Sequence, residues 1–465
     1  MNWLKWITNT RKVITFYREN YELIKSVVLT VLIVLSLFLT WSLWTYKPSH
    51  PFLQETKTVK KQEVEDQATL NKVVYPTQVI FHKGDELYGV EAHEMMKQIH
   101  DQIKIADFNF DPNVKNNQLF DPNEKIIKNE DYIEIIYPVG LTKEIYKEVF
   151  SFDAEISASK PQYVDRLLLY QSKTPNIVEG YLVSYQTKKM QKIRVDNFAL
   201  TSVTKDIAEK VGLIPYISYD IEERTEEGAA QTKNRFYFPR DSIKLNRYHY
   251  ISRAINEETK EKYKKALFKD QLAVKSASTG VNEITFTDGN AVMVINELKN
   301  RFTYTNFAGL NKRNFTSSNS PLFQSIDYIN THAGWGGPYI LSELAGDRAS
   351  FWLQVASLPV LDPDTFMSLS WAENELYQYE RSMIDLDFRS TSELIETVPL
   401  ISGKDVVREL KESDYNENYI KDVRIGLTMK RQSEPHVYVL EPRWFINYEN
   451  KGWIPLFKKD REEGF

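Results

Sequence analysis

Ser26–Tyr46 reads SVVLTVLIVLSLFLTWSLWTY, a run without a charged residue, a glycine or a proline. At about 1.5 Å per residue a helix of this length spans roughly 30 Å, the thickness of a bilayer core. A soluble domain would have to cover such a helix on every side, so the run is read as a transmembrane helix. Trp41, Trp44 and Tyr46 cluster at its far end, where amphipathic rings settle at the headgroup level as interfacial anchors. Lys5, Arg11, Lys12, Arg18 and Lys25 precede the helix against Glu19 and Glu22. The positive-inside rule then keeps the N-terminus cytoplasmic and sends everything beyond about Lys47 outward. A cleaved signal peptide has an apolar core of roughly 7–15 residues and small residues at the cut. This run is longer and ends in bulky rings, so the anchor is expected to stay.

At about 100° per residue, Ser26, Thr30, Ser36 and Thr40 share an arc of roughly 120° on the helix. Small hydroxyl residues on one face allow close helix–helix approach and interhelical bonds of about 0.6–2 kcal/mol each. The competing reading is that the hydroxyls bond their own preceding carbonyls. The pattern alone leaves both open. Before the anchor, Trp3, Ile7, Ile14, Tyr17, Tyr21 and Ile24 recur at near-helical spacing between basic residues. That suits an amphipathic helix on the inner leaflet, with a frayed cytoplasmic tail as the alternative.

The chain has 465 residues, 42% apolar and 13% aromatic, enough for two or three globular cores after the anchor. Its net charge of −5 argues against nucleic acid, which needs a concentrated basic face. It has no cysteine, which removes disulfides, thiol catalysis, Fe–S clusters and cysteine-ligated zinc.

Residues 1–25 are a cytoplasmic segment, 26–46 the helix and 47–72 a polar stalk. The remainder is divided into units 73–195, 196–310 and 311–465. VVYPTQVIFH and DYIEIIYPV read as strands around the helix GVEAHEMMKQIHDQIK, and YVDRLLLYQ and IVEGYLVSYQ as a further pair. FDPNVK and FDPNEK carry turn chemistry. TKDIAEKVGL and Ile255–Leu267 are helical in character. EITFTDGNAVMVI is a hairpin around Asp288-Gly289-Asn290, with RFTYTNF as a third strand. EERTEEGAAQTKN is a charged loop. The last unit offers FWLQVASLPVL, the helix KDVVRELKES, and terminal strands VRIGLTMK, HVYVLEPRWFINY and GWIPLF. Helices and strands alternate loosely, with hairpin turns in place of regular βαβ spacing, which gives an α+β ectodomain of mixed antiparallel sheets and helices.

No catalytic constellation emerges. His93 and His100 lie seven apart on a helix beside Glu94 and Asp101, where a solvated face is the ordinary explanation. Ser157-Ala158-Ser159-Lys160 matches the SxxK pair of penicillin-recognising enzymes, but Pro161 stops a helix at once. Ser317-Ser318-Asn319 is a loose second motif, and no KTG or KSG follows. Glu373/Glu375 and Asp385/Asp387 are carboxylate pairs of the glycosidase type, a chemistry decided by separation in space. Trp335, Trp352, Trp371, Trp444 and Trp453 are either core residues or sugar-stacking platforms. No catalytic, cofactor or metal residue is assigned.

Three stretches carry a resemblance. Ile24–Pro48 (IKSVVLTVLIVLSLFLTWSLWTYKP), Phe236–Tyr250 (FYFPRDSIKLNRYHY) and Glu441–Leu456 (EPRWFINYENKGWIPL) resemble the YycH family. These are membrane-anchored regulators of the WalK–WalR (YycG–YycF) two-component system of low-GC Gram-positive bacteria, which governs cell-wall metabolism. The resemblance runs from about Tyr21 to the C-terminus. It implies a three-domain ectodomain, no enzymatic activity, and a complex with a similarly anchored YycI-like protein. It also implies contact with the transmembrane helices of the WalK kinase, with Ser26, Thr30, Ser36 and Thr40 as the contact face; a homodimer stays open beside these partners. Family members begin a few residues before the helix, and about twenty more stand here. Either the extension lies on the inner leaflet or translation begins later; a later start would be non-AUG, since no methionine separates Met1 from Met95.

Overall fold

The computed structural model describes residues 21–45 and 67–457, apart from short internal stretches of which 201–212, 308–319 and 388–395 are the longest. Tyr46, the amphipathic reading of residues 1–20, most of the stalk and nearly all of TKDIAEKVGL lie outside the described residues. The chain divides into two bodies, Met1–Glu55 and Thr56–Phe465.

In the first body, helix α1 spans Tyr21–Thr45, and every described side chain on it is exposed. Its 25 residues measure about 37 Å. Among the described residues it is the one helix long and apolar enough to cross a membrane.

The second body is built on antiparallel strands. Ten of them form the first sheet: β1 (Gln78–Lys83), β2 (Glu86–Gly89), β3 (Asp107–Phe110), β4 (Gln118–Leu119), β5 (Tyr132–Thr142), β6 (Tyr163–Gln171), β7 (Val178–Ser184), β8 (Lys189–Asp196), β9 (Ile214–Arg224) and β10 (Ala230–Pro239). Their order is β10-β9-β2-β1-β5-β6-β7-β8-β3, with β4 on β8. The near-continuous apolar run of β5 follows from burial on both faces. Ile133, Ile135 and Tyr137 enter the main core, whereas Tyr132 joins a second cluster with Phe120 and Leu168. Gly180 on β7 is forced by close packing, because a Cβ there would sit 2.1 Å from the Leu168 carbonyl oxygen.

The end of this sheet curls back over its own face. Gln78 donates to the Tyr237 carbonyl at 3.1 Å, and Lys188 donates to the Thr232 and Lys233 carbonyls at 2.7 and 2.8 Å. Strand β10 thus crosses above β1, β5 and β6, several strands away from its ladder position. The second FDPN turn helps to hold it there: the Asn123 side chain accepts from both the amide and the hydroxyl of Thr232.

A second sheet holds β12 (Lys275–Gly280), β13 (Glu283–Thr287), β14 (Ala291–Asn296), β15 (Arg301–Asn306), β16 (Tyr339–Ala345), β17 (Arg348–Val355), β18 (Leu358–Pro359), β19 (Met367–Ala372) and β20 (Glu375–Ser382). Its order is β12-β13-β14-β15-β20-β19-β17-β16, with β18 on β17. The hairpin read at Asp288-Gly289-Asn290 joins β13 to β14, with Gly289 at φ +93°. In a third sheet β11 (Ile243–Ser252) pairs with β21 (Leu386–Asp387), β22 (Glu396–Leu400) and β24 (Val437–Tyr448); β24 also takes β23 (Ile420–Arg431) and β25 (Gly452–Pro455).

Helices α2 (His93–Ile105), α3 (Lys143–Val149), α4 (Glu257–Leu267), α5 (Pro321–Thr331) and α6 (Gly403–Glu412) cover the sheets. Helix α6 shows the logic of the group. Ser402 caps its first turn by accepting from the Asp405 amide, and Val406 and Leu410 bury its apolar stripe. Asn330 on α5 exchanges two 2.8 Å bonds with the backbone of Ala68, pinning that residue to α5. The mixed α+β class expected from the sequence is what the chain forms.

Candidate functional site

On α1 the hydroxyl of Thr30 donates to the Ser26 carbonyl and that of Thr40 to the Ser36 carbonyl, both at 2.8 Å. Each threonine therefore spends its proton one turn back along its own helix, while its oxygen can still accept. Trp41 is exposed, its ring 6.3 Å from that of Phe38. Trp44 lies within the helix, but its side chain is outside the described residues, as is Tyr46.

Among the described residues, the serine and lysine of the SxxK match are not brought together. The Ser157 hydroxyl pairs with that of Ser159 at 2.8 Å. The Lys160 amine reaches the Val114 carbonyl at 3.4 Å and lies 4.6 Å from the centre of the Phe110 ring. Nucleophile and base are thus not joined. His100 is buried, its Nε2 2.6 Å from the Asn71 carbonyl oxygen and its ring 4.6 Å from Tyr75. Burial holds its pKa below the ordinary histidine value. Among the described residues no group of three or more His, Asp or Glu side chains is placed to hold a metal. The side chains of His93, Glu94, Asp385 and Asp387, together with Ser317–Asn319, lie outside them.

The five tryptophans separate into two classes. Trp335, Trp371 and Trp444 are buried, and their indoles donate to Asn330, Ser325 and the Ile401 carbonyl at 2.8, 2.9 and 2.8 Å. Trp352 and Trp453 are half-buried and line a cavity.

Two charged regions stand out in the second body. The first lies under the curl of β10. Glu134 of β5 accepts from Arg166 of β6, from the Tyr237 hydroxyl of β10 at 2.7 Å, and pairs with His82 Nε2 of β1 at 2.9 Å. Tyr132 stacks on His82 with ring centres 4.0 Å apart, and Arg166 also donates to Asn234 and the Arg235 carbonyl at 2.9 and 2.6 Å. Burial disfavours the Glu134 carboxylate, but the Arg166 charge and the His82 bond outweigh it and hold the carboxyl well below its usual range. All four side chains are buried. Every charge in this cluster has a partner.

The second region is the cavity, of about 750 Å³. It lies where β5, β10, β16, β17, β23 and β25 converge, a size within the span of ligand-holding pockets. Arg348, Lys421 and Lys451 line it, are exposed, and have no carboxylate partner among the described residues. Deeper in, Arg424 pairs with Asp422 and lies 4.9 Å from the centre of the Trp453 ring. Trp352 meets Phe366 at 5.8 Å.

The sequence carried a trace of the first region: a glutamate inside YIEIIYPV and an arginine inside DRLLLYQ are out of place in core strands. It carried none of the second, because a surface lysine before a strand looks like any other.

Known proteins bear on the whole chain. Models of the N-terminal and C-terminal domains of YycH protein match residues 22–211 and 233–461. The chain belongs to the YycH family. The resemblance read from the anchor and the two later stretches is confirmed by that match. The chain is 21% identical to the two-component system WalR/WalK regulatory protein YycH of Bacillus subtilis (strain 168), over 95% of this chain and 97% of that relative. That relative's name is one of a regulatory protein and not of an enzyme. The crystal structure of YycH from Bacillus subtilis superposes with a TM-score of 0.66 at 17% identity, covering 86% of this chain and all of the other. The two share a fold.

Proposed function

We propose that this YycH-family chain is a non-enzymatic, membrane-anchored accessory protein that modulates the WalK (YycG) sensor histidine kinase of the WalR/WalK system. It acts with a YycI-like single-pass partner, through helix contacts within the membrane and through the ectodomain. The observation that carries the reading is α1: a 25-residue apolar helix, exposed along its described length, with Ser26, Thr30, Ser36 and Thr40 on one face. An apolar helix that is exposed along its described length takes cover from lipid and from other helices. Five cationic residues before the apolar run that starts at Ser26 favour a cytoplasmic N-terminus and an extracytoplasmic second body. The separation of Ser157 from the Lys160 amine supports the non-enzymatic side of the reading.

Absence of native cysteine makes the test clean. Single cysteines at Thr30, Ser36 and Thr40 are expected to form disulfides, on mild oxidation of membranes, with cysteines scanned through the partner and kinase helices. Cysteines at Val28 or Leu35, off the hydroxyl face, serve as controls. Adducts at the control positions alone would place the contact on another face. No adduct at any position would remove the helix from the mechanism.

A further inference from the structure

Strand β23 is an edge of its sheet, paired on one side with β24. Its outer side is taken up near its middle, where the Leu361 amide donates to the Leu427 carbonyl at 3.0 Å and Val360 forms a parallel bridge with Leu427. Gly426 makes that approach possible, since a Cβ there would lie 2.5 Å from Leu361 Cδ1. Leu427 therefore turns its backbone groups away from β24. Its β24 neighbour is Pro442, which has no N–H to give, as suits that side of the ladder.

The pairing runs without a register shift from Asp422 to Leu427, so the two-residue period turns Val423 and Ile425 to the same outer edge. The Val423 amide is met there by the Asp422 side chain at 2.7 Å, a local acceptor standing where a strand carbonyl would. Val423 and Ile425 line the cavity. This stretch of strand edge thus forms part of its wall instead of facing bulk water, with β18 packed beside its Leu427 end.

The charge of the wall selects the occupant. Arg348, Lys421 and Lys451 are exposed cations without a carboxylate partner among the described residues. Of the lining carboxylates, Asp165 accepts from the Tyr185 amide and Asp422 holds Arg424 and the Val423 amide, which leaves Glu343. The cavity is therefore locally cationic on a chain of net charge −5. Trp352 and Trp453 add apolar surface for alternate side chains.

We propose that this cavity docks an extended acidic peptide, which adds as a strand to the edge of β23 at Val423–Ile425 and places its carboxylates against Arg348, Lys421 and Lys451. Backbone pairing supplies affinity, and the cations choose the sequence. The proposal goes beyond the regulatory reading and does not rest on it.

The test uses the full chain in detergent micelles and fluorescein-labelled hexapeptides of alternating Glu/Val and Asp/Thr, followed by anisotropy. Saturable binding is expected, weakening at least tenfold in Arg348→Glu/Lys421→Glu and unchanged in Lys269→Glu/Lys275→Glu, a charge-matched control at exposed lysines that do not line the cavity. A Glu/Val peptide with alternate amides N-methylated is expected to lose binding, because it keeps the charge and loses strand pairing. Equal binding of a Lys/Val peptide, indifference to the cavity reversal, or no binding at millimolar peptide overturns the proposal. Binding of trigalacturonate in place of the peptides also overturns it, and identifies an anionic glycan site.

Discussion

The Glu134 cluster and the rim of the cavity are both rich in charge and lie in one body, but differ in burial and in pairing. Under β10, Glu134, Arg166, His82 and Tyr237 are buried and satisfy one another. At the rim, Arg348, Lys421 and Lys451 are exposed, with no carboxylate partner among the described residues. Buried charge is tolerated only when paired, so the first group is bound to the fold: it locks the curl of the first sheet onto strands far from it in the ladder. Exposed charge costs the fold little, so the second group is free to serve an outside partner. Charge alone marks neither a site nor a support; pairing separates them.

Four variants press on that contrast. Glu134→Gln leaves Arg166 buried without its counter-charge and is expected to cost about 3–5 kcal/mol, read by urea unfolding. A loss below about 1 kcal/mol would make the cluster incidental to the curl.

Asp362→Asn is expected to act in the opposite direction. Burial raises the Asp362 pKa to about 6, above the unfolded value of about 3.9. The native state then holds a proton that the unfolded chain has released, so stability falls as pH rises from about 4 to 6. The substitution should stabilise by up to about 3 kcal/mol at pH 7 and by about 0.5 kcal/mol at pH 4. Melting curves at the two pH values decide it, and an equal effect at both would refute the assignment. Glu134 obeys the reverse rule: its depressed pKa gives stability that is lost as pH falls below the usual carboxylate range.

Ser402→Ala removes the acceptor that caps α6 and should cost about 1 kcal/mol by the same unfolding measurement. Arg348→Glu/Lys421→Glu should change stability by less than about 0.5 kcal/mol, because both side chains are exposed and have no carboxylate partner among the described residues. A large loss there would move the rim into the same class as the Glu134 cluster.

Much of the local structure was legible because it follows from short-range rules. The 21-residue apolar run is helical and exposed as far as it is described, the Asp288-Gly289-Asn290 turn joins two strands, and the terminal strands stand where alternation put them. What pairs with what was not legible. The β10 curl joins Arg166 to Asn234 across 68 residues, and β11 pairs with β24 across nearly two hundred. No local period encodes such contacts. The tryptophans make the same point: no local pattern sorts the five, and only the fold buries Trp335, Trp371 and Trp444 while bringing Trp352 and Trp453 to one cavity. The hydroxyl stripe divides along the same line. Its periodicity is sequence arithmetic, whereas the two bonds back to Ser26 and Ser36 are visible only in the helix.

The central claim is that regulation runs through the anchored helix. WalR phosphorylation, compared in cells producing the full chain and in cells exporting residues 56–465 without α1, tests it most directly. The account predicts that only the anchored chain shifts the phosphorylated fraction, and that replacing the hydroxyl face with Thr30→Leu/Thr40→Leu weakens the shift. An exported second body that moves WalR phosphorylation as far as the anchored chain would contradict it.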